Sequence, residues 1–312
     1  MQPTTTYSDE IPTTEWVENR KHYIGGSEVA AILGESSYKT PLQIWMKKQG
    51  LVGEIESSPV ADFGHVFEPI MADYFESLMG LKTRRVSDPY VHDEYSFLRA
   101  NIDRQICSGD GVPGTGVLEL KTTTSHRLRK LSRAYPKSWG YQIQHYLGLT
   151  GYQYGYLLIY ERDSCKFHEP VYIERDVAFI AENTEKLVAW WQCHMIEGQR
   201  PAPQNGEDLL LLYPESTAGK VVEARPKDFD IYRQLTEVRE EKDNLKAKET
   251  TLKNKLKETL GDAERLVCRG KTLVSWKTYE RSRLDSTKLR EQKPEIYENY
   301  RTSSSYRRFS VK

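Results

Sequence analysis

The chain reads as a mixed α/β protein carrying a separate helical arm, and three observations predict that class. Apolar residues recur at steps of three and four through 61–78, and helical patterns follow at 139–149 and 176–197. Between these stretches the period changes to two, at 97–103 and 117–121, while residues 154–160 (YGYLLIY) form a dense strand pattern. From Asp228 to Leu260 the chain becomes charge-rich, with Ile231, Val238, Leu245 and Leu252 spaced seven apart.

The elements follow in order. Residues 1–16 form a Thr/Ser/Pro-bearing tail, and 17–200 a single domain. Ser27 is placed to cap a short helix that stops at Gly34, and Thr40-Pro41 opens a second one running through Trp45 to Gly50. In the long helix that follows, Phe63, Phe67, Ile70, Tyr74 and Leu78 make the apolar stripe, and Gly80 ends it. Leu98, Ala100 and Ile102 share one face of the first strand. In the second, Leu118 and Leu120 share one face, and Glu119 and Lys121 the other. The turn-forming cluster 108–116 between them predicts a hairpin. A helix over 139–149 leads into the 154–160 strand, a short strand lies near 171–173, and Asp176 caps a helix that reaches Glu197. Residues 201–227 are expected to be a linker. Residues 228–260 are expected to form a helical hairpin or short coiled coil, with Lys242 and Glu249 interrupting its seam. The segment 261–312 is basic, with 13 Lys and Arg against 7 Asp and Glu from Asp262 onward.

Composition narrows the function. The 312 residues hold 45 Lys+Arg and 45 Asp+Glu, and a zero balance argues against a protein that coats nucleic acid without specificity. No apolar run reaches the ~18 residues of a membrane span, and the N-terminus is polar, so a cytoplasmic protein without membrane contact is expected. The four cysteines form no C-x-x-C pair, which excludes zinc ribbons and compact iron–sulfur ligation and leaves buried free thiols as the expectation.

The hairpin carries the chemistry. With the turn centred near Gly111, Asp103 faces Glu119 across the strands, and Lys121 lies two residues beyond Glu119. Two carboxylates on one side suit a hard cation such as Mg²⁺ or Mn²⁺. The same pattern is also that of a cross-strand charge pair on a solvated sheet. Arg127 and Lys137 flank a basic loop that includes Tyr135, and with Trp139 it suits stacking on bases and pairing with phosphates.

Asp103…Glu119-Leu120-Lys121 resembles the core of the restriction-endonuclease-like nucleases. The order of Arg20-Lys21-His22-Tyr23-Ile24-Gly25-Gly26-Ser27-Glu28, Phe63-Gly64-His65-Val66-Phe67-Glu68 and Tyr141-Gln142-Ile143-Gln144-His145-Tyr146-Leu147 is similar to that of the lambda-exonuclease-like, YqaJ-type viral recombinases. The resemblance spans about residues 17–200. It implies a restriction-endonuclease-like core, a mixed sheet flanked by helices. Asp103, Glu119, the Leu120 carbonyl and Glu68 would hold two Mg²⁺ ions, for which Mn²⁺ could substitute. Lys121 would activate water, and Gln142 would hold the nucleophile or Lys121, with Gln144 and Tyr146 carrying lower weight. Arg20 and Ser27 match positions that bind a 5′-terminal phosphate, which a helix N-terminus and a forked guanidinium suit physically. The implied activity is a 5′-to-3′ exonuclease acting on double-stranded DNA ends and leaving 3′ single strands for recombination. A single-strand annealing protein is the implied partner, and a homo-oligomeric ring the implied assembly. A RecB- or Cas4-type repair nuclease acting on single strands or flaps, and a nuclease-fold DNA-binding or docking module, remain as other readings.

Overall fold

Eight residues, Gly116–Thr123 (β6), form the centre of the larger sheet because they alternate tightly packed apolar side chains with groups the site needs. The computed structural model describes residues 19–52, 59–107, 114–129 and 135–311. The expected tail 1–16, most of the 108–116 turn, and Lys130 and Arg133 of the basic loop lie outside the described residues.

Before β6 in the chain come the short strands Ile24–Gly25 (β1), Thr83–Arg84 (β2), Tyr90–Val91 (β3), Leu98–Ala100 (β4) and Arg104–Ile106 (β5). After it come Tyr154–Glu161 (β7), Lys166–Phe167 (β8) and Val171–Glu174 (β9). The large sheet runs β2-β5-β6-β7-β8, with β9 also on β7. β6 and β7 are parallel and the other pairs antiparallel, so the sheet is mixed. A smaller sheet has the order β1-β4-β3. Of the strand expected over 97–103 only 98–100 forms, and the strand that pairs with β6 begins after it, at Arg104. β4 belongs to the small sheet and only β5 pairs with β6, because the chain changes partners at residues 101–103. The expected register survives this break. Arg104 pairs Leu118 and Gln105 pairs Val117, which continues to Asp103 opposite Glu119.

Helices cover both faces of the sheet. On one side, Pro59–Met79 (α3) packs Met71 and Phe75 against Leu118, Leu120 and Leu158. The stripe expected on this helix is displaced. Phe63, Ile70, Tyr74 and Leu78 are exposed, and the buried arc is carried by Met71, Ala72 and Phe75 with Phe67 at its edge. Both arcs have helical spacing, and only the docking of α3 selects between them. On the other side, Lys137–Thr150 (α5) packs Ile143 and Leu147 against Val117, Leu157 and Ile159.

A second layer gathers around β1 and β4. Gly26–Ile32 (α1), Pro41–Lys48 (α2) and Val177–Trp190 (α6) bury Ile24, Val29, Ile44, Leu98, Leu187 and Trp190 together. Thr40 caps α2, accepting from the Gln43 N–H at 3.2 Å, and Asp176 caps α6, accepting from the Phe179 N–H at 2.9 Å. Gly34 follows α1 at φ +74°, a conformation that favours glycine. Ser27 is not the cap of α1. The helix starts two residues earlier than that cap would place it, Gly25 holds the cap position, and Glu28 accepts the Gly25 N–H at 3.1 Å. Beyond α6 the chain widens into a π-helical turn, Trp191–Ile196, where Trp191 stacks on Phe97 with ring centroids 4.7 Å apart. The helix Ser125–Arg129 (α4) follows β6.

The chain divides into two compact units, 1–209 and 210–312. The boundary falls inside the expected linker. Gly206–Leu212 (α7) is helical, and its Asp208 is fully buried, accepting from Thr40 Oγ1 at 2.8 Å and from the Gln204 N–H at 2.8 Å. In the second unit, Pro226–Leu260 (α8) is one continuous helix of 35 residues rather than a hairpin of helices, and the hairpin is the β-ribbon after it, Arg265–Cys268 with Lys271–Ser275. Ser286–Gln292 and Pro294–Tyr300 are two further short helices in the basic segment. Among the described residues no helix is long and apolar enough to cross a membrane. The cysteines are free, but none is fully buried as expected: Cys165 and Cys268 are exposed, and Cys107 and Cys193 half-buried.

Candidate active site

The edge where β5 hands over to β6 brings Asp103, Glu119 and Lys121 together. Val117 faces α5, and the two-residue period places Glu119 and Lys121 on that same side. Glu119 is fully buried, and its Oε1 accepts from Lys121 Nζ at 2.5 Å and from Gln142 Nε2 at 2.6 Å. Gln142 comes from α5 and also donates to the Tyr146 hydroxyl at 2.9 Å. Asp103 accepts the Leu120 N–H at 2.7 Å, so Leu120 locks the first carboxylate to the strand that carries the second.

The electrostatics follow from crowding. Burial, and then the charge of Glu119, push the Asp103 carboxyl well above its ordinary range. Burial likewise raises Glu119, with Lys121 opposing and Glu68 adding to the rise. Burial works against the Lys121 ammonium, yet Glu119 and Asp103 outweigh it and hold that group protonated above its usual range. Glu68, on α3, meets His65 Nδ1 at 3.2 Å, while its charge is felt by Asp103, Glu119 and Lys121. Among the described residues, no three His, Cys, Asp or Glu side chains stand as a preformed metal set. Glu119 supplies the observation that tests the fit of a cation. Its Oε2 is buried and no donor among the described residues reaches it. An acceptor-only oxygen left open beside a second carboxylate fits a hard divalent cation.

The second cluster sits at α1. Arg20 Nη2 donates to Ser27 Oγ at 3.1 Å and lies 3.9 Å from Glu28 Oε1, which brings the two expected phosphate residues together. Gly26 lets this cluster approach the carboxylates. A Cβ there would lie 2.3 Å from Tyr146 Cε1 and 3.1 Å from Gln142 Cγ, so α1 rests on Gln142, which holds Glu119, and on Tyr146, which Gln142 also bonds.

Other expected residues are placed differently. Lys137 pairs with Glu35 at 2.6 Å, and Arg127 stacks over the Tyr38 ring at 4.4 Å, each already engaged at the surface. Gln144 holds the chain between β9 and α6 through the Glu174 carbonyl and the Asp176 N–H, which is a structural task. His145 is buried against the Arg99 carbonyl. Sequence reasoning passed over Gly26, Glu28 and Lys48. The Gly25-to-Glu28 spacing is a readable helix-start signal, whereas nothing in the sequence marks Lys48, whose Nζ meets Glu28 at 2.9 Å.

A carboxylate pair with a lysine beside it, on a mixed sheet flanked by helices, defines a candidate metal-assisted site. Residues 15–153 match the profile of the YqaJ-like viral recombinase domain. The Bacillus subtilis protein YqaJ is 32% identical over 314 residues, covering 98% of this chain and 96% of that protein. The chain belongs to the YqaJ family. Among solved structures it is similar to the alkaline exonuclease LHK-Exo of Laribacter hongkongensis, with TM-score 0.48 and 21% identity over 59% of this chain and 94% of that one. It is also similar to a phage-related exonuclease of Haemophilus somnus 129PT, with TM-score 0.42 and 14% identity over 58% and 99%.

Proposed function

We propose that the protein is a metal-dependent DNA exonuclease that enters at a double-strand end and degrades one strand from 5′ to 3′. The single observation that carries this reading is the open Glu119 Oε2, buried beside Asp103 and within a two-residue step of Lys121. Asp103, Glu119 and the Leu120 carbonyl would hold Mg²⁺, or Mn²⁺ in its place, with Glu68 reaching in from α3; a second ion would share the same carboxylates. When bound, the cation supplies Lewis-acid stabilisation of the phosphoryl oxygens and a more acidic water.

The chain's own groups do the rest. Two carboxylates against one ammonium leave the pocket acidic, and it attracts a cation before substrate arrives. Gln142 fixes the Glu119 carboxylate by one oxygen, and the other is buried with no donor among the described residues. Lys121, kept protonated by its neighbours, orients the attacking water and balances charge that develops on the phosphate. Arg20 and Ser27 would take the terminal 5′-phosphate, the guanidinium by paired charge-assisted bonds and the hydroxyl by donation. Removing nucleotides from 5′ ends leaves 3′ single strands, which a single-strand annealing protein would take up, and a homo-oligomer would keep the enzyme on its DNA.

The test is digestion of linear duplex DNA with Mg²⁺, comparing 5′-phosphorylated with 5′-hydroxyl ends. Activity that vanishes with EDTA and returns with Mg²⁺ or Mn²⁺, and that shortens only the 5′-ended strand, is the expected result. Digestion that persists with EDTA, or that proceeds from 3′ ends, overturns the reading.

A further inference from the structure

The net charge of the chain is zero, yet its positive charge is not spread evenly. Residues 228–260, most of α8, hold eight Lys and Arg against eight Asp and Glu. Directly after that helix, residues 265–283 hold six Lys and Arg against the single Glu280. They form the β-ribbon Arg265–Cys268 with Lys271–Ser275 and the irregular stretch that follows it. Lys277 pairs with Glu264 at 3.5 Å. Arg265, Arg269, Lys271, Arg281 and Arg283 are exposed and have no ion pair among the described residues. Five open cations on so short a segment repel one another, and a bound polyanion offsets that repulsion.

Two aromatic rings stand among these cations. Trp276 is held at the foot of the ribbon, where its backbone N–H donates to the Glu264 carbonyl at 2.9 Å and Lys257 Nζ lies 5.4 Å from its ring centroid. It is still 50% exposed, and Tyr279, three residues on, is 81% exposed. Guanidinium forks suit phosphates, and flat exposed rings suit bases. A duplex hides its base faces in its own stack, whereas a single strand offers phosphates and free base faces together. We propose that residues 265–283 form a binding surface for single-stranded DNA, with Trp276 and Tyr279 stacking on unpaired bases and the open cations meeting phosphates. Only the source of that strand rests on the exonuclease reading, because the binding is measured without cleavage.

The experiment titrates the full chain, in EDTA so that no strand is cut, against a fluorescent oligo-dT strand of about 20 nucleotides and against a duplex of equal length. Anisotropy is read over a series of salt concentrations. Trp276→Ala with Tyr279→Ala should weaken strand binding about tenfold or more, keep its salt slope and leave duplex binding unchanged. Arg281→Ala with Arg283→Ala should lower the slope of log K against log salt by about 1.4, since each phosphate contact on a single strand contributes ~0.7. If Trp276→Ala disturbs the ribbon, Tyr279→Ala carries the test alone, because that side chain is free in solvent, and it should still cost about fivefold. A folded ring variant with wild-type affinity for the strand, an equal loss on strand and duplex, or a cation variant with the wild-type slope overturns the proposal. None of these outcomes touches the exonuclease reading, which stands or falls on digestion with Mg²⁺.

Discussion

Glu119 and Glu249 each meet a lysine nitrogen at 2.5 Å, and they have nothing else in common. The Glu119–Lys121 pair lies on the central strand of the first unit, with the carboxylate fully buried. The Glu249–Lys253 pair lies on α8 of the second unit, with both side chains more than half exposed. Burial raises the first carboxyl, whereas the hydrogen bond from Lys253 lowers the second. Identical contacts thus have opposite consequences, because water screens one pair and is excluded from the other. The contrast extends to whole units. Glu28, Lys48, Glu119, Gln142 and Asp208 are all buried in the first, while Leu260 is the one buried hydrophobic of the second among the described residues, and the apolar heptad of α8 stays exposed. A neutral total charge therefore joins a first unit with an internal polar site to a second whose charges face solvent.

Breaking the buried pair gives the largest effect. Glu119→Ala and Lys121→Ala should each reduce exonuclease rate by about 10³-fold, or ~4 kcal/mol of barrier, measured by initial rates at saturating Mg²⁺. Full activity in both would place the active site elsewhere.

His145 sharpens the comparison through pH. Burial depresses its imidazole to about 4 from an ordinary 6.5, with the Arg99 carbonyl opposing. The unfolded chain therefore binds a proton first as pH falls, and stability declines between about 6.5 and 4, by ~3 kcal/mol from this group alone. Urea unfolding at pH 7 and 4.5 should show this loss in the wild type and a flatter profile in His145→Gln.

Gly26→Ala tests how closely the two clusters are joined. The added methyl meets the Tyr146 ring, so thermal unfolding should report a cost of about 1–3 kcal/mol. The exonuclease rate should fall as well, because Tyr146 and Gln142 shift with Glu119. The smallest change belongs to the arm. Leu245 is 65% exposed, and Leu245→Ala should alter stability by no more than ~0.5 kcal/mol in the same assay.

Much of the site was legible because its geometry is local. The residues between Asp103 and Glu119 hold the turn-formers, and a centre near Gly111 already implied the register that β5 and β6 adopt. Gln142, singled out by motif order, does reach Glu119, and Arg20 does reach Ser27. The α3 stripe failed because two apolar arcs share one helix and only docking against the sheet chooses between them. Lys137 and Arg127 failed to stand open because Glu35 and Tyr38 lie far from them in sequence and beside them in space. The linker expected over 201–227 gave no hint that Asp208 would be buried under Thr40, a contact across 168 positions.

By itself the sequence determined the periodic elements, the helix caps at Thr40 and Asp176 and the facing of Asp103 and Glu119, since each depends on residues only a few positions or one turn apart. The tertiary structure alone decided which charges enter the interior. Burying Lys48 or Asp208 requires partners supplied by distant segments, and no local pattern records where those segments meet.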